Sequence, residues 1–249
     1  MVKAFPSDVA AAHPLLAHWP MFGLRVRTPR LELRYADDDL VREIAVLAAL
    51  GVRRHGQRPF DIDWDLVPSP HQERNTLQYF WSERAGWKPT DWHCPFAVLV
   101  DGEVVGVQGM FAKDFPRLRT VETGSWLGIA HQGRRIGTEM RAAILHLIFT
   151  GLGATTAISA AYDDNPGSQG VSARLGYLDN GRDGRLRGGE RAVMVRFSLE
   201  RTGWEANRRD ATREITISGL EPCLPYFGAA EAPWISTPAP GEALELPTA

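Results

Sequence analysis

The sequence is poor in cysteine, with only Cys94 and Cys223 among its 249 residues. Two cysteines are too few for a disulfide framework, and neither they nor the histidines have the spacing of a metal site. A reducing compartment is expected, because disulfide-rich proteins belong to oxidising environments. No metal is expected.

Long apolar runs and an excess of one charge are also missing. No apolar run approaches the roughly 20 residues that a membrane-spanning helix needs. The N-terminal segment, with Lys3 and the interruptions at Pro14 and Pro20, does not have the pattern of a signal peptide. The 28 basic and 30 acidic side chains nearly balance, which argues against nucleic acid or a membrane as partner. We expect a soluble cytoplasmic protein.

In some segments the apolar residues alternate with polar ones, and in others they recur every three or four residues. The sequence therefore predicts both strands and helices. "RLELRYA" alternates as a half-buried strand, and Asp37 or Asp38 then caps a helix that runs to about Leu50. The pair Asp101-Gly102 between two apolar runs predicts a hairpin. Further strands are predicted at "RTVETGSWLGIA", "TTAISAAY" and "RAVMVRFSLE", and helices at "ERNTLQYFWSERAG", "TEMRAAILHLIF" and "PGSQGVSARLG". This order indicates an α+β fold with a mixed, mostly antiparallel sheet flanked by helices.

The same order divides the chain into four parts. Residues 1–23 are expected to be an N-terminal arm and residues 24–200 the main domain. In residues 201–228, "EITISGL" predicts an added edge strand or a subunit contact, so a homo-oligomer is expected. The proline-rich residues 229–249 are predicted to be a flexible tail.

The stretch "HQGRRIGTEM" joins a predicted strand to a predicted helix. Unpaired N–H groups and the positive end of the helix dipole meet there, and Gly133 and Gly137 allow a ligand to approach the main chain. Arg134 and Arg135 add positive charge. These features favour a phosphate-bearing ligand, although an ordinary turn with solvated arginines is an equal alternative. The motifs of a P-loop and of a dinucleotide fold are absent.

From Leu24 to Leu199 the order of elements resembles the GNAT family of acyl-CoA-dependent N-acyltransferases. Its pyrophosphate loop, Gln/Arg-x-x-Gly-x-Gly/Ala, corresponds to residues 132–137, with Arg135 in place of the middle glycine. A second family motif is similar to "NPGSQGVSARLGY", in which Ser172 replaces the tyrosine of many members.

The segments "LRVRTPRLELR" and "ETGSWLG" are similar to the RimJ/RimL-type branch, which acylates protein N-termini and other amines. "HWPMFGLRVRTPRLEL" and "GTEMRAAIL" are similar to a mycobacterial member described as a succinyl-CoA transferase. The resemblance implies transfer of an acyl group, with succinyl preferred, from CoA to a primary amine by direct attack. Acyl-CoA is then a cosubstrate, and no tightly bound cofactor is expected. Two alternatives stay open: acetylation of a peptide N-terminus or an antibiotic amine, and a non-catalytic protein that binds CoA esters.

The resemblance also implies roles for named residues. Backbone N–H groups near Leu127 or Ile129 are expected to polarise the thioester carbonyl. The residues expected to hold the cosubstrate are Gln132, Gly133, Arg134, Arg135, Ile136, Gly137, Thr138, Asn165, Ser168 and Arg174.

Two side chains are candidates for the proton transfers. Strand alternation places Glu122 on the face that Gly124 and Trp126 share, so Glu122 is a candidate base with a pKa raised by partial burial. The competing interpretation is a cross-strand ion pair with an arginine such as Arg119 or Arg196. Ser168 is the candidate that holds or protonates the leaving sulfur, and the alternative is a serine that caps a short helix.

A succinyl carboxylate would need a cationic or polar receptor. Spacing does not choose among the candidates Arg53, Arg54, His55, Arg58, Gln108 and Lys113. Trp64, Trp81 and Trp126 fill the core or line an acceptor pocket.

Overall fold

A computed structural model describes residues 13–207 and 214–230. The first 12 residues of the predicted arm and residues 231–249 of the predicted tail lie outside the described residues. Within the described part of the chain, no helix is long and apolar enough to cross a membrane.

Nine strands form one sheet in the order β7-β8-β6-β5-β4-β3-β2-β1-β9. The strands are β1 (Arg25–Arg27), β2 (Leu31–Tyr35), β3 (Asp91–Val100), β4 (Glu103–Lys113), β5 (Thr120–Leu127), β6 (Thr156–Tyr162), β7 (Leu178–Arg187), β8 (Glu190–Glu200) and β9 (Thr216–Ser218). Only β5 and β6 are parallel neighbours, and every other neighbouring pair is antiparallel. The predicted mixed, mostly antiparallel α+β fold is confirmed.

In residues 13–207 and 214–230, six helices flank the sheet or connect its strands. They are α1 (Asp38–Ala49), α2 (His71–Ala85), α3 (Phe115–Leu118), α4 (Ile136–His146), α5 (Pro166–Arg174) and α6 (Arg201–Asn207). The predicted cap is present at α1, where the Asp37 carboxylate accepts a hydrogen bond from the Leu40 N–H at 2.9 Å. The predicted hairpin turn is present too, with left-handed φ values of 50° at Asp101 and 88° at Gly102, as a two-residue hairpin requires.

Strand β7 has no counterpart in the sequence-based prediction. Its sequence, LDNGRDGRLR, is polar and glycine-containing, and most of its residues are exposed. It lies at the edge of the sheet and pairs only with β8. Backbone pairing with β8, not an apolar pattern, therefore makes this segment a strand.

Helices cover the two faces of the sheet. On the first, the α1/α2 face, Ile44 of α1 and Phe80 of α2 pack on Ala97, Leu99 and Val107. The larger core lies on the second, the α4 face, and its helical residues include Met140, Ala143, Ile144 and Leu147.

Both terminal segments that are described pack onto the same core. Met21 is fully buried, and β9 pairs with β1. The indole of Trp87 donates a 2.8 Å hydrogen bond to the carbonyl of Tyr226, and that of Trp92 donates a 3.1 Å bond to the carbonyl of Phe227. The predicted edge strand at "EITISGL" thus extends the sheet of its own chain.

Candidate active site

The parallel strands β5 and β6 separate half-way along their length. Their register runs from the pair Thr120 and Thr156 to the pair Thr123 and Ser159. Residues 124–127 of β5 and 160–162 of β6 continue without pairing to each other. The result is a wedge-shaped gap that opens toward the loop after β5. Ser125 is exposed at this gap.

Backbone amides of β5 line the gap. The side-chain amide of Gln108, on β4, donates a 3.0 Å hydrogen bond to the carbonyl oxygen of Gly124, so the polar backbone groups of Gly124 face β4. Because successive strand residues point these groups to opposite sides, the N–H groups of Ser125 and Leu127 face the gap.

The two amides that the sequence suggests as carbonyl-polarising donors differ in availability. The Ile129 N–H already donates to the carbonyl of Gly51 at 3.0 Å. Leu127 therefore remains as the donor of the two, because its N–H is directed into the gap.

The Gln132 side chain has a structural role in the loop after β5. Its Nε2 donates to the carbonyls of Val52 at 2.8 Å and Leu127 at 3.0 Å. Its Oε1 accepts from the Arg54 Nε at 3.1 Å. These bonds fasten the loop to the end of β5 and to residues 52–54, and the Gln132 N–H donates to the carbonyl of Ile129 at 3.2 Å, so Gln132 holds the loop in place.

The start of α4 faces the mouth of the gap. Gly133 and Arg135 both have left-handed conformations, with φ values of 79° and 63°, and no side chain caps the helix. The first-turn N–H groups of Ile136, Gly137 and Thr138 have no partner within the helix. They form a cluster of donors suited to an anion.

Arg134 and Arg135 directly precede this helix, and Arg174 ends the neighbouring helix α5. Arg134, Arg135 and Arg174 are all exposed, and none of them forms an ion pair with a described carboxylate. Their charge is therefore available to phosphate groups.

The second half of α5 lies beside the start of α4. A Cβ added to Gly137 would be 3.6 Å from the Val171 side chain. Asn165 caps α5, and its Oδ1 accepts from the Ser168 N–H at 3.1 Å. Ser172, one turn further along, is fully buried with an Oγ that has no hydrogen-bond partner. Of the two serines, Ser168 is thus the one whose side chain is accessible to solvent.

Glu122 lies on the α1/α2 face, in register with Phe111 of β4 and Ile158 of β6. Burial raises the pKa of its carboxyl group, and the Arg185 guanidinium opposes this in part. No ion pair joins Glu122 to a described arginine: Arg196 pairs with Asp183 at 3.3 Å, and the Arg119 guanidinium lies 5.1 Å from the centre of the Phe115 ring.

His93 is a site residue that the sequence does not reveal. Its Nδ1 lies 3.0 Å from the Tyr79 hydroxyl and 3.2 Å from the Glu83 carboxylate. Its Nε2 would lie 2.9 Å from a Cβ placed on Gly109, which pairs with Gly124. The imidazole is therefore fixed above Gly109, and His93 lies two strands from Glu122 on the same sheet face, because Phe111 of β4 pairs with both residues. No local motif signals this arrangement, because it joins α2 with three strands.

Of the three tryptophans that the sequence suggests as pocket walls, Trp64 and Trp126 lie together on the α1/α2 face. The Trp64 ring is 5.7 Å from the Trp126 ring and 5.0 Å from the Phe60 ring. Trp81 is 48% exposed, and its indole N–H donates to Asp38 at 3.3 Å. Trp64 and Trp126 can therefore form an apolar wall on the sheet face that carries Glu122, whereas Trp81 does not.

Most of the sequence candidates for a carboxylate receptor are occupied. Arg53 pairs with Asp63 and Asp65, and Arg58 pairs with Asp63 at 2.8 Å. Lys113 is at the far end of β4, away from the gap.

Two other reactive groups are disfavoured as participants. The Arg187 guanidinium lowers the pKa of Asp164, which makes Asp164 a weak base. Cys94 is fully buried, and burial raises the pKa of its thiol. Among residues 13–207 and 214–230, no cluster of three or more His, Cys, Asp or Glu side chains could hold a metal ion.

Comparison with known proteins agrees with this architecture. The model of the acetyltransferase (GNAT) domain family matches residues 30–178, more than half of the chain.

Three solved structures share the fold. RimL, the ribosomal L7/L12 alpha-N-protein acetyltransferase in complex with coenzyme A, is 18% identical, with a TM-score of 0.58 over 69% of this chain and 94% of that one. RimJ of Mycobacterium smegmatis in complex with CoA-disulfide is 19% identical, with a TM-score of 0.58 over 79% and 93% of the two chains. The microcin C7 self-immunity acetyltransferase MccE, in complex with acetyl-CoA and AMP, is 15% identical, with a TM-score of 0.54 over 69% and 92%. The chain therefore belongs to the GNAT acetyltransferase family and is an N-acyltransferase.

Proposed function

We propose that the protein transfers an acyl group, with succinyl preferred, from CoA to a primary amine by direct attack. The observation that carries this proposal is the gap between β5 and β6, with the Leu127 N–H directed into it and the uncapped start of α4 at its mouth. A pantetheine arm fits such a gap, and a pyrophosphate fits such a helix start.

In the proposed reaction the donor and the acceptor approach from different sides. The pyrophosphate binds the backbone N–H groups of residues 133–138, with support from Arg134, Arg135 and Arg174. The thioester carbonyl accepts a hydrogen bond from the Leu127 N–H, which is fixed before the reaction and stabilises the oxyanion. The amine enters from the α1/α2 face, beside Trp64 and Trp126.

Glu122 is the proposed base. Its carboxylate takes a proton from the ammonium group through a water molecule, which leaves a nitrogen lone pair to attack the carbonyl carbon. The C–S bond then breaks as the amide forms. The proton released by the nitrogen after attack reaches the CoA sulfur, and Ser168 is the proposed hydroxyl that donates to this sulfur.

Acetyl-CoA is the second candidate donor. The RimL and MccE structures are those of acetyltransferases by name, and a ribosomal protein N-terminus or an antibiotic-like amine is the corresponding acceptor class. The succinyl preference rests on the sequence similarity to a mycobacterial succinyl-CoA transferase. The cytoplasmic location and the homo-oligomeric state remain predictions.

Titration calorimetry with free CoA, acetyl-CoA and succinyl-CoA tests the proposed function. We expect all three to bind, because they share the pyrophosphate and the pantetheine arm, and succinyl-CoA to bind most tightly. Absence of heat with all three, together with an unchanged unfolding temperature, would refute the assignment of the gap to CoA.

The Arg135→Gly substitution tests what this loop position contributes. A left-handed conformation costs a non-glycine residue about 1–2 kcal/mol, whereas the added chain entropy of glycine costs about 0.5–1 kcal/mol. We therefore expect R135G to raise the free energy of unfolding slightly in urea titrations. If Arg135 only takes the place of the family glycine, the affinity for CoA should stay similar or improve, because glycine allows a closer approach of the backbone; if its charge supports the pyrophosphate, calorimetry will show a large loss of affinity.

Arg135→Asn is the matched comparison, because asparagine tolerates the left-handed conformation and also removes the charge. A large loss of CoA affinity in both variants would show that the guanidinium itself binds phosphate.

A further inference from the structure

Arg141 is a buried charge at the gap between β5 and β6. Only 3% of its surface is exposed. Its Nη1 donates to the Ser159 Oγ at 2.9 Å, and its Nη2 donates to the Ser125 Oγ at 3.1 Å. Its Nε has no hydrogen-bond partner. Arg141 forms no ion pair with any described residue, and its partners are hydroxyl groups: those of the two serines and the buried hydroxyl of Tyr177.

Two other largely buried arginines of the described chain have carboxylate partners. The side chains of Arg53 and Arg187 are each 12% exposed, and they pair with Asp65 and Asp164 respectively. A buried guanidinium without an anion is costly, because hydroxyl groups replace only part of its hydration. The site around Arg141 is therefore missing a negative charge.

The position of Arg141 indicates from which side an anion would reach its guanidinium group. Side chains of a helix lean toward its N-terminus, so the guanidinium extends from α4 toward the mouth of the gap. It connects Ser159, the last residue of β6 that pairs with β5, to Ser125, which lies beyond the last pair and is exposed. An anion that enters the gap far enough to contact Ser125 reaches the guanidinium as well.

We propose that Arg141 binds a carboxylate at the far end of the acyl group, so that the preferred donor is the CoA thioester of a dicarboxylic acid. This inference rests on the proposed function. The thioester carbonyl at the Leu127 N–H and the carboxylate at Arg141 would both lie within the same gap, on the two sides of a short acyl chain. The two serine hydroxyls hold the guanidinium in place, and its free Nε is a further donor.

Calorimetry on the full chain separates this role from a structural one. Wild type, Arg141→Met, Arg141→Lys and the control Arg42→Met, which removes an exposed arginine of α1, are titrated with free CoA, acetyl-CoA and succinyl-CoA. We expect R141M to weaken succinyl-CoA binding by about 10- to 100-fold, the range of a hydrogen bond to a charged group. Acetyl-CoA and free CoA should bind R141M and R42M as they bind wild type.

The lysine variant and thermal unfolding guard against a folding artefact. R141K should keep part of the succinyl-CoA affinity, because it retains the charge without the planar fork. R141M should unfold at the same temperature as wild type or higher, since it removes a buried charge that lacks an anion.

The outcomes distinguish this inference from the function on which it rests. If wild type binds none of the three CoA compounds, the proposed function fails and the inference with it. If wild type binds acetyl-CoA and succinyl-CoA equally, or if R141M weakens all three ligands alike, the acyltransferase assignment stands and the role of Arg141 is refuted.

Discussion

Glu122→Gln is expected to lower kcat by about 100- to 10,000-fold, the range contributed by general-base catalysis. Glutamine keeps the shape of the side chain and cannot accept the proton of the ammonium group. CoA binding should be nearly unchanged, because Glu122 lies on the α1/α2 face and the pyrophosphate loop follows the other end of β5. Steady-state kinetics with succinyl-CoA and a primary amine, together with calorimetry, measure both quantities.

Although E122Q should turn over more slowly, it should be more stable than wild type at high pH. Burial raises the pKa of Glu122 above its ordinary value of 4.5, so the folded protein binds this proton more tightly than the unfolded chain does. Ionisation of Glu122 therefore lowers stability as the pH rises from the unfolded pKa through the folded pKa. Above that window E122Q should be more stable than wild type, and below pH 4.5 the difference should vanish.

Glu103→Gln is the matched control, because Glu103 is exposed at the start of β4. It should leave both turnover and stability unchanged. If E122Q keeps the wild-type pH–rate profile, Glu122 is not the base. His93, which Tyr79 and Glu83 orient above Gly109, would then be the next candidate.

Gly137→Leu is expected to abolish most CoA affinity without unfolding the protein. A Cβ at this position would lie 3.6 Å from Val171 and 3.9 Å from Leu127, which are ordinary contact distances. The remaining leucine carbons would occupy the mouth of the gap, where the pantetheine arm is proposed to enter. If the clash between the leucine side chain and bound CoA costs as much as overpacking of a core, about 1–3 kcal/mol, the affinity for CoA falls by about 5- to 150-fold. Calorimetry with free CoA measures this loss.

Gly137→Ala should give a smaller loss, because it adds a single carbon. Gly203→Ala is the control, since Gly203 lies in α6, far along the chain from the loop, and its Cβ would lie 3.5 Å from Leu199 of β8. Wild-type affinity for CoA in G137L, with the fold intact by circular dichroism, would place the pantetheine arm elsewhere.

Residue patterns determined most of the elements of this fold. Alternation indicated β2, the Asp101-Gly102 pair indicated the hairpin of β3 and β4, and Asp37 indicated the start of α1. These signals are local, because a turn, a cap or an apolar period depends on residues within a few positions of one another. The loop from Gln132 to Thr138 was recognisable for the same reason.

Tertiary structure decided what each side chain does. Arg141 is unremarkable within its helix, and only the separation of β5 from β6 makes it a buried cation without an anion. The Ile129 amide looks equivalent to that of Leu127 until the chain folds and Gly51 accepts its hydrogen bond. β7 is a strand because β8 pairs with it. Burial, charge pairing and backbone partners depend on residues far apart in the chain, and a single sequence does not contain those distances.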